Sequence, residues 1–137
     1  MAVSKELIEV YTDGACSGNP GPAGIGIVMK YKGHTREISK YIGHATNNIA
    51  ELRAVLTALR AIKDPVRRVI LHTDSTYVEG VLAKGWKAKA NKDLICEIKK
   101  EMQRFGDLAI KKVEGHAGVE GNEQADRLAR EAIKNAG

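Results

Sequence analysis

The apolar residues of this chain recur with two different periods, which divide the sequence into nine segments. Five are short apolar runs bounded by glycine, proline or polar residues, as expected of strands: residues 6–12, 23–31, 34–43, 66–73 and 108–114. Four repeat apolar residues three and four positions apart, as expected of helices: residues 48–62, 75–83, 91–105 and 122–135. The order βββαβααβα predicts an α/β fold in which a meander leads into strand–helix–strand crossovers, giving a mixed sheet with helices on its faces.

Length and composition are typical of one globular domain. The 137 residues are 43% hydrophobic and no linker or repeat divides them, so residues 1–137 are predicted to form a single domain. No apolar run is long enough to cross a bilayer, and the N-terminus lacks the apolar core of a signal peptide. Two cysteines, Cys16 and Cys96, are too few for a disulfide framework. We therefore expect a soluble, cytoplasmic protein with free thiols and no membrane partner.

The formal net charge of +5 comes entirely from one segment. The residues from Lys84 to Lys112 include nine lysines and arginines and four acids, whereas cations and acids cancel in the rest of the chain. Such an excess is typical of a surface that meets phosphates, but a solvated helix surface produces the same pattern. Charge alone leaves both interpretations open.

Two aspartates directly follow predicted strands. Asp13 ends the first strand in YTDGACSGNPGPAG, after which four glycines and two prolines in residues 14–24 predict irregular structure, and Asp74 ends the fourth strand in VILHTDS. If these strands are parallel neighbours, both carboxylates lie at one edge of the sheet. Two repelling acids are tolerated when a divalent cation binds both. A turn-forming aspartate is the alternative for either residue alone, but it does not explain the pair.

Two further acids lie near the starts of predicted helices. Glu51 heads a helical row that is otherwise apolar, which predicts that it faces the sheet; the alternative is a capping interaction with Asn48. Asp126 flanks the apolar stripe of the last helix, and its alternative is a surface pair with Arg130. Four oxygen ligands without a cysteine or histidine set favour Mg²⁺ or Mn²⁺. Two such ions can activate a water and stabilise the leaving oxygen in phosphodiester cleavage.

A histidine stands close to these acids in the sequence. His116 lies among glycines in EGHAGVEGN, just before the helix that contains Asp126. Because histidine titrates near neutral pH and this loop is expected to be flexible, His116 is a candidate proton carrier for the leaving group. An incidental surface histidine would be the better interpretation without the acids. The other histidines, His34, His44 and His72, are predicted to be structural or solvent-facing.

Four stretches of the chain resemble the motifs of type 1 ribonuclease H, in that family's order and spacing: YTDGACSGNPGPAG, TNNIAELRAV, LHTDSTYV and EGHAGVEGNEQADRLA. The resemblance spans residues 6–135, and each stretch contributes one of the four acids. It implies a ribonuclease H-like fold with a five-stranded mixed sheet whose first and fourth strands are adjacent and parallel. It also implies a hydrolase that cleaves the RNA strand of RNA–DNA hybrids endonucleolytically with Mg²⁺ or Mn²⁺, leaving 5′-phosphate and 3′-hydroxyl ends.

The resemblance further implies roles for individual residues. The family's catalytic, metal-binding acids correspond to Asp13, Glu51, Asp74 and Asp126. Its loop histidine, which assists proton transfer and product release, corresponds to His116. Family members read RNA 2′-hydroxyl groups from loops near the acids; the corresponding positions here are Cys16, Ser17, Gly18, Asn19, Asn47, Asn48 and Thr76. A DNA phosphate pocket of some relatives corresponds to Thr46 and Asn91.

The chain departs from the family pattern where the hybrid is gripped. Many members carry an extra helix and a basic protrusion, whereas here only AKGWKAKANKDL joins the two middle helices. Its lysines are expected to replace the protrusion in part: Lys84, Lys87, Lys89 and Lys92. Trp86 is a candidate for stacking on the substrate, although core packing is the favoured interpretation of a lone tryptophan. Thr76 stands where many bacterial members have glutamine, and His44 where some have a phosphate-contacting arginine.

Other functions remain open at this point. One is a catalytically silent module of the same fold that only binds RNA–DNA hybrids, and another is a nuclease for different substrates, such as duplex DNA. The complete set of four acids and the histidine favours the active enzyme. We expect it to work as a monomer without an obligate protein partner.

Overall fold

The structure is a computed structural model that describes residues 7–64, 67–114 and 120–136. The strands and helices within these residues follow the predicted order: β1 (Leu7–Cys16), β2 (Gly21–Tyr31), β3 (His34–Ala45), α1 (Asn47–Ala61), β4 (Arg68–Thr73), α2 (Thr76–Ala83), α3 (Lys92–Met102), β5 (Asp107–Lys112) and α4 (Glu120–Ala136). Among the helices of these ranges, none has both the length and the apolar character that a membrane crossing requires.

The strands form one mixed sheet in the order β3–β2–β1–β4–β5. The first three strands form an antiparallel meander, whereas β4 runs parallel to β1 and β5 runs parallel to β4. The predicted five-stranded mixed sheet with parallel, adjacent first and fourth strands is therefore confirmed. This arrangement brings the carboxyl ends of β1 and β4 to the same edge of the sheet.

The central strand β1 is longer than the sequence pattern predicts. It extends past Asp13 to Cys16, because its antiparallel pairing with β2 continues as far as the pair of Cys16 and Ala23. Its parallel pairing with β4 stops earlier, at the pair of Tyr11 and His72. The prediction that regular structure ends at Asp13 is wrong for the β2 side of the strand, where the ladder supports the backbone beyond the acid.

Helices cover both faces of the sheet. The helix α1 packs against β1 and β2 with α3 alongside it, and these elements enclose the larger apolar core. Its fully buried side chains include Val10, Ile25, Leu52, Leu59 and Leu71. Burying each such side chain contributes roughly 1.5–3 kcal/mol. On the opposite face, α4 lies against β1, β2 and β3 over a smaller cluster made of Tyr11, Val28, Ala125 and Leu128.

Two glycines of β2 determine how closely α4 approaches the sheet. A Cβ atom on Gly26 would overlap the carbonyl oxygen of Ala125, and one on Gly24 would overlap that of Ala129. The backbone of α4 therefore rests directly on the backbone of β2, an approach that only glycine permits. Because Gly26 is the cross-strand partner of Asp13, this contact lies beside the edge that holds the aspartates.

The starts of the helices partly differ from prediction. The N-cap of α1 is Thr46, whose side chain accepts a 3.2 Å hydrogen bond from the Ile49 N–H. The N-cap of α2 is Ser75, which accepts a 3.1 Å hydrogen bond from the Val78 N–H. The predicted start of the last helix at residue 122 is wrong: α4 begins at Glu120, so Asn122 lies within its first turn and is buried.

Candidate active site

Asp13 and Asp74 meet at the edge of the sheet, each two residues beyond the last β1–β4 pair, Tyr11 and His72. Asp13 is only 5% exposed and Asp74 is half-buried. One carboxylate oxygen of each aspartate and one of Glu51 all lie within 4.8 Å of one another. The parallel pairing thus brings together the two aspartates that the sequence pattern placed at one edge.

Glu51 reaches this edge from the first turns of α1. Its Oε1 accepts a 2.5 Å hydrogen bond from the Gly14 N–H, which fixes the carboxylate against β1. A Cβ on Gly14 would overlap the backbone of Ala50, so glycine at this position is what allows α1 to lie so close to the strand. The alternative of a capping interaction with Asn48 is wrong, because Thr46 is the N-cap and Glu51 bonds across to β1.

Asp126 joins the other three acids from α4. Its carboxyl group lies close enough to that of Asp13 for a hydrogen bond. Its Oδ2 also forms a 2.8 Å ion pair with Arg130. This is the surface pair that the sequence offered as the alternative interpretation of Asp126. This pair is solvent-exposed and is worth at most about 1 kcal/mol, so it does not remove Asp126 from the site. We call Asp13, Glu51, Asp74 and Asp126 the acid cluster.

Crowding of these acids strongly affects their protonation. Loss of solvation on burial is the largest cause that raises the pKa of Asp13, and the negative charges of Glu51 and Asp74 raise it further. Burial also raises the pKa of Glu51 above the ordinary carboxyl range, although hydrogen bonds from Asp13 and from the Gly14 N–H partly oppose this shift. In the protein without a bound cation, Asp13 therefore retains a proton at neutral pH, whereas Glu51, whose pKa is raised to about 7, is only partly protonated.

The acid cluster has the composition of a divalent metal site. Its donor atoms are carboxylate oxygens, and across the ranges 7–64, 67–114 and 120–136 no histidine or cysteine atom belongs to the group. Oxygen-only donors suit hard divalent cations. A cation at this position would also relieve the repulsion that raises the pKa of Asp13 and Glu51. The residues present therefore fit such an ion.

Two histidines bear on the predictions made for this site. The predicted proton carrier His116 lies outside the described residues, so its role stays a prediction. His72 was predicted to be structural or solvent-facing, and its ring stacks on that of Tyr11 with centroids 4.5 Å apart. Burial lowers the pKa of His72, which favours its neutral form in this stack.

The loop positions predicted to contact the substrate lie on the segment that follows Asp13 and at the starts of α1 and α2. Cys16 is half-buried at the end of β1, and the exposed turn after it contains Ser17, Gly18 and Asn19. This turn is tied to the start of α1, because the Asn19 Oδ1 accepts a 2.9 Å hydrogen bond from the Asn47 N–H. The Cys16 thiol donates a 3.0 Å hydrogen bond to the Ala45 carbonyl. Three more exposed positions begin the neighbouring helices: Asn47, Asn48 and Thr76.

Both positions predicted for a DNA phosphate have structural partners already. The Thr46 hydroxyl caps α1, and the Asn91 Nδ2 donates a 3.2 Å hydrogen bond to the Tyr77 hydroxyl. Asn91 has a left-handed backbone, with φ of 59°, and its carbonyl accepts the first hydrogen bond of α3, from the Ile95 N–H. Tyr77 was not identified from the sequence, where nothing distinguishes it from an ordinary helix residue.

The segment that joins α2 to α3, residues 84–91, is exposed and basic, and we call it the basic segment. Lys84, Lys87 and Lys89 are all exposed, and Lys84 pairs with Glu79 at 3.4 Å. The prediction that Trp86 packs in the core is wrong, because the residue is 47% exposed. One face of its ring covers Gly80 of α2, where a Cβ would overlap the indole, and the rest faces solvent.

Comparison with known proteins agrees with this fold. The sequence model of the RNase H family matches residues 5–134. Ribonuclease H of Chromobacterium violaceum is 41% identical, with 96% of this chain and 98% of the relative aligned. Ribonuclease HI of Shewanella oneidensis is 44% identical, with 94% and 89% aligned. LC11-RNase H1, isolated from compost by a metagenomic approach, has been solved in complex with an RNA/DNA hybrid. Its sequence is 35% identical, the match covers 94% of this chain and 98% of that one, and the TM-score is 0.81. This chain belongs to the ribonuclease H family.

Proposed function

We propose that this chain is an endoribonuclease that hydrolyses the RNA strand of RNA–DNA hybrids. The observation that supports this best is that three acids meet at one partly buried point, with Asp126 of α4 within hydrogen-bond reach of Asp13, in a chain of the ribonuclease H family. A relative that shares 35% of its residues has been solved in complex with an RNA/DNA hybrid. Hydrolysis would leave a 5′-phosphate and a 3′-hydroxyl.

The acid cluster is the proposed binding site for the divalent cations that the reaction needs, with Mg²⁺ as the natural ion and Mn²⁺ as a substitute. Bound there, two such ions would activate the attacking water and stabilise the leaving oxygen. The chain itself positions the carboxylates before any ion binds. The Gly14 N–H fixes Glu51, the pairing of β1 with β2 fixes Asp13, and Asp74 directly follows the last residue of β4. Such preorganisation avoids rearrangement of the site during the reaction.

His116 is the proposed proton donor to the 3′-oxygen that leaves. In the sequence, His116 stands four residues before Glu120, the first residue of the helix that supplies Asp126. An imidazole with an ordinary pKa is partly protonated near neutral pH, as a general acid must be.

Selectivity for RNA is proposed to come from the loops around the acid cluster. The turn of Ser17, Gly18 and Asn19 and the residues Asn47, Asn48 and Thr76 offer exposed hydroxyl, amide and backbone groups. Such groups can hydrogen-bond a 2′-hydroxyl, which DNA lacks. The hydrogen bond between Asn47 and Asn19 holds two of these loops in a fixed relation, so they would read the strand as one surface.

The basic segment is proposed to supply the remaining grip on the hybrid, through Lys84, Lys87, Lys89 and exposed Trp86, together with Lys92 at the start of α3. Because this grip consists of phosphate contacts, hybrid affinity should fall steeply as salt rises. We further propose that the protein works as a monomer in the cytoplasm.

One cleavage assay tests the proposal. A single sequence is presented as RNA–DNA hybrid, RNA duplex and DNA duplex, each with Mg²⁺, with Mn²⁺ and with a chelator, beside the variant Asp13→Asn. We expect metal-dependent cleavage of RNA in the hybrid alone, and none by the variant. Hybrid binding without cleavage under either metal would support the silent module instead, and cleavage of the DNA duplex would support the broader nuclease.

A further inference from the structure

An open groove of about 710 Å³ lies between the start of α1 and the start of α3. Ile49 and Leu94 form apolar parts of its lining, and its charged side chains are Arg53, Lys89, Lys92 and Asp93. Three cations therefore face one carboxylate. Asp93 lies in the first turn of α3, where the helix dipole stabilises a negative charge on its own account. A groove of this charge is suited to an anion.

Arg53 is the arginine of this groove, and its position in α1 can be compared with that of a second arginine of the same helix. It is half-buried in α1, and in the part of the chain that the structure describes no carboxylate pairs with it. Arg60 lies seven residues later on nearly the same face of α1, yet it is bound by Glu97 at 2.5 Å. A half-buried guanidinium without a carboxylate partner is suited to bind phosphate with two parallel hydrogen bonds.

The position of Arg53 on the helix indicates which strand it would meet. Arg53 follows Glu51 by two residues, so the two side chains point about 160° apart around α1. Glu51 belongs to the acid cluster, which must face the RNA strand that is cut. The opposite side of α1 would then face the other backbone of the same duplex, across the wide minor groove of an A-like helix.

We infer that Arg53 is a substrate-binding residue that contacts a phosphate of the DNA strand and thereby determines hybrid affinity. This inference rests on the proposed function. The two positions that family resemblance assigned to a DNA phosphate, Thr46 and Asn91, use their side chains to cap α1 and to bond Tyr77. Arg53 supplies a charge that neither of them carries, on a surface without a basic protrusion.

The test compares Arg53→Ala and Arg53→Lys with the matched control Arg60→Ala, after thermal melts have established that all three variants are folded. Hybrid binding is measured in chelator over a range of salt, and cleavage kinetics are measured with Mg²⁺. For Arg53→Ala we expect the slope of log Kd against log salt to fall by about 1, and KM to rise about five- to tenfold at constant kcat. Arg53→Lys should restore the slope but only part of the affinity, and Arg60→Ala should match the wild type.

Equal slopes and KM values for Arg53→Ala and Arg60→Ala would overturn the inference. So would a lower melting temperature that lysine does not rescue, with the slope unchanged, since this would be a packing role. The strand is tested by placing one neutral methylphosphonate linkage at successive positions. One DNA position should abolish the difference between wild type and Arg53→Ala, whereas an effect from the RNA strand alone would refute the assignment. Absence of hybrid cleavage by the wild type would refute the proposed function separately, because the binding slopes do not require cleavage.

Discussion

The acid cluster and the basic segment, only a helix apart, are built in opposite ways. The acids are held by strand pairing, by a short hydrogen bond to Gly14 and by glycine contacts that bring helices onto strands. The lysines of the basic segment are exposed, and the one fixed aromatic residue among them, Trp86, rests on Gly80 with about half of its surface in solvent. Chemistry that depends on sub-ångström positions is suited to the firmly held acid cluster. Recognition of a uniformly charged backbone is suited to the exposed basic segment.

The difference also affects stability. The acid cluster brings repelling carboxylates into a poorly solvated place, at a cost that the rest of the fold must offset. The basic segment places its charges in water, where each costs little. Substitutions in the acid cluster should therefore lower activity and raise stability. Substitutions in the basic segment should change hybrid affinity with little effect on stability.

The largest effect is expected from Glu51→Gln. Glutamine can still accept the hydrogen bond from the Gly14 N–H through its Oε1, so position is retained while the negative charge is lost. We expect kcat to fall by at least about a hundredfold, the scale of losing one charge-stabilising group, with an unchanged circular dichroism spectrum. The control Glu97→Gln removes an exposed carboxylate that pairs with Arg60 and should leave kcat unaltered. Retained activity in Glu51→Gln would mean that the acid only positions the Gly14 backbone.

A smaller effect, opposite in sign, is expected on stability when Asp13 becomes Asn in metal-free protein. The folded pKa values of Asp13 and Glu51 are raised, so their cost is absent below about pH 4 and grows as pH rises. It grows up to about pH 7 for Glu51 and up to about pH 10 for Asp13. Asparagine keeps a donor for Glu51 without an ionisable group. The variant should melt a few degrees above the wild type at pH 7 and level with it at pH 4.

Divalent metal should reverse this order. We expect Mg²⁺ to bind only the folded acid cluster, and it should therefore raise the melting temperature of the wild type but not of Asp13→Asn. A difference in melting temperature that does not depend on pH would show that crowding of the acids is not its cause.

The next effect in size is a loss of stability, expected where Trp86 of the basic segment packs on α2, when Gly80 is replaced by Ala. The added methyl group overlaps the indole of Trp86, so the ring must leave its seat on α2. Overpacking of this kind costs about 1–3 kcal/mol, of which the better helix propensity of alanine recovers up to about 1 kcal/mol. Because the chain has one tryptophan, a red shift of its fluorescence reports the movement directly. Gly106→Ala, whose Cβ would meet no atom within 4 Å, is the matched control.

The smallest effect is expected from Thr46→Ala, which removes the N-cap of α1. The loss should be about 1 kcal/mol in the free energy of unfolding, measured by urea denaturation, and Thr46→Ser should restore it. If Thr46→Ala also weakens hybrid binding while Thr46→Ser does not, the hydroxyl serves both the cap and the phosphate. A change in binding without a change in stability would assign it to the substrate alone.

Much of this molecule can be predicted from its sequence because two periodicities dominate it. The order of strands and helices follows from alternation and helical spacing, and the meeting of Asp13 with Asp74 follows from parallel pairing of their strands. The direction of Glu51 was also predictable, since it heads an apolar row.

The features that were missed depend on neighbours distant in the sequence. β1 continues past Asp13 because β2 pairs with it there, a support that local composition does not reveal. In the sequence, Gly24 and Gly26 look like interruptions of a strand pattern. In the structure they allow the backbone of α4, about a hundred residues later in the chain, to pack directly on β2. Arg53 looks like any surface arginine of a helix until α3 is placed opposite it.

The contact between β2 and α4 has a consequence for how this sequence can diverge. Because main chain rests on main chain at Gly24 and Gly26, the height of α4 above the sheet does not depend on which side chains the helix carries. The outward face of α4, with Arg127, Arg130 and Glu131, is thus free to drift, while Asp126 keeps its place against Asp13. Two glycines of β2 thus keep a carboxylate of the acid cluster in position whatever side chains the outward face of its helix acquires.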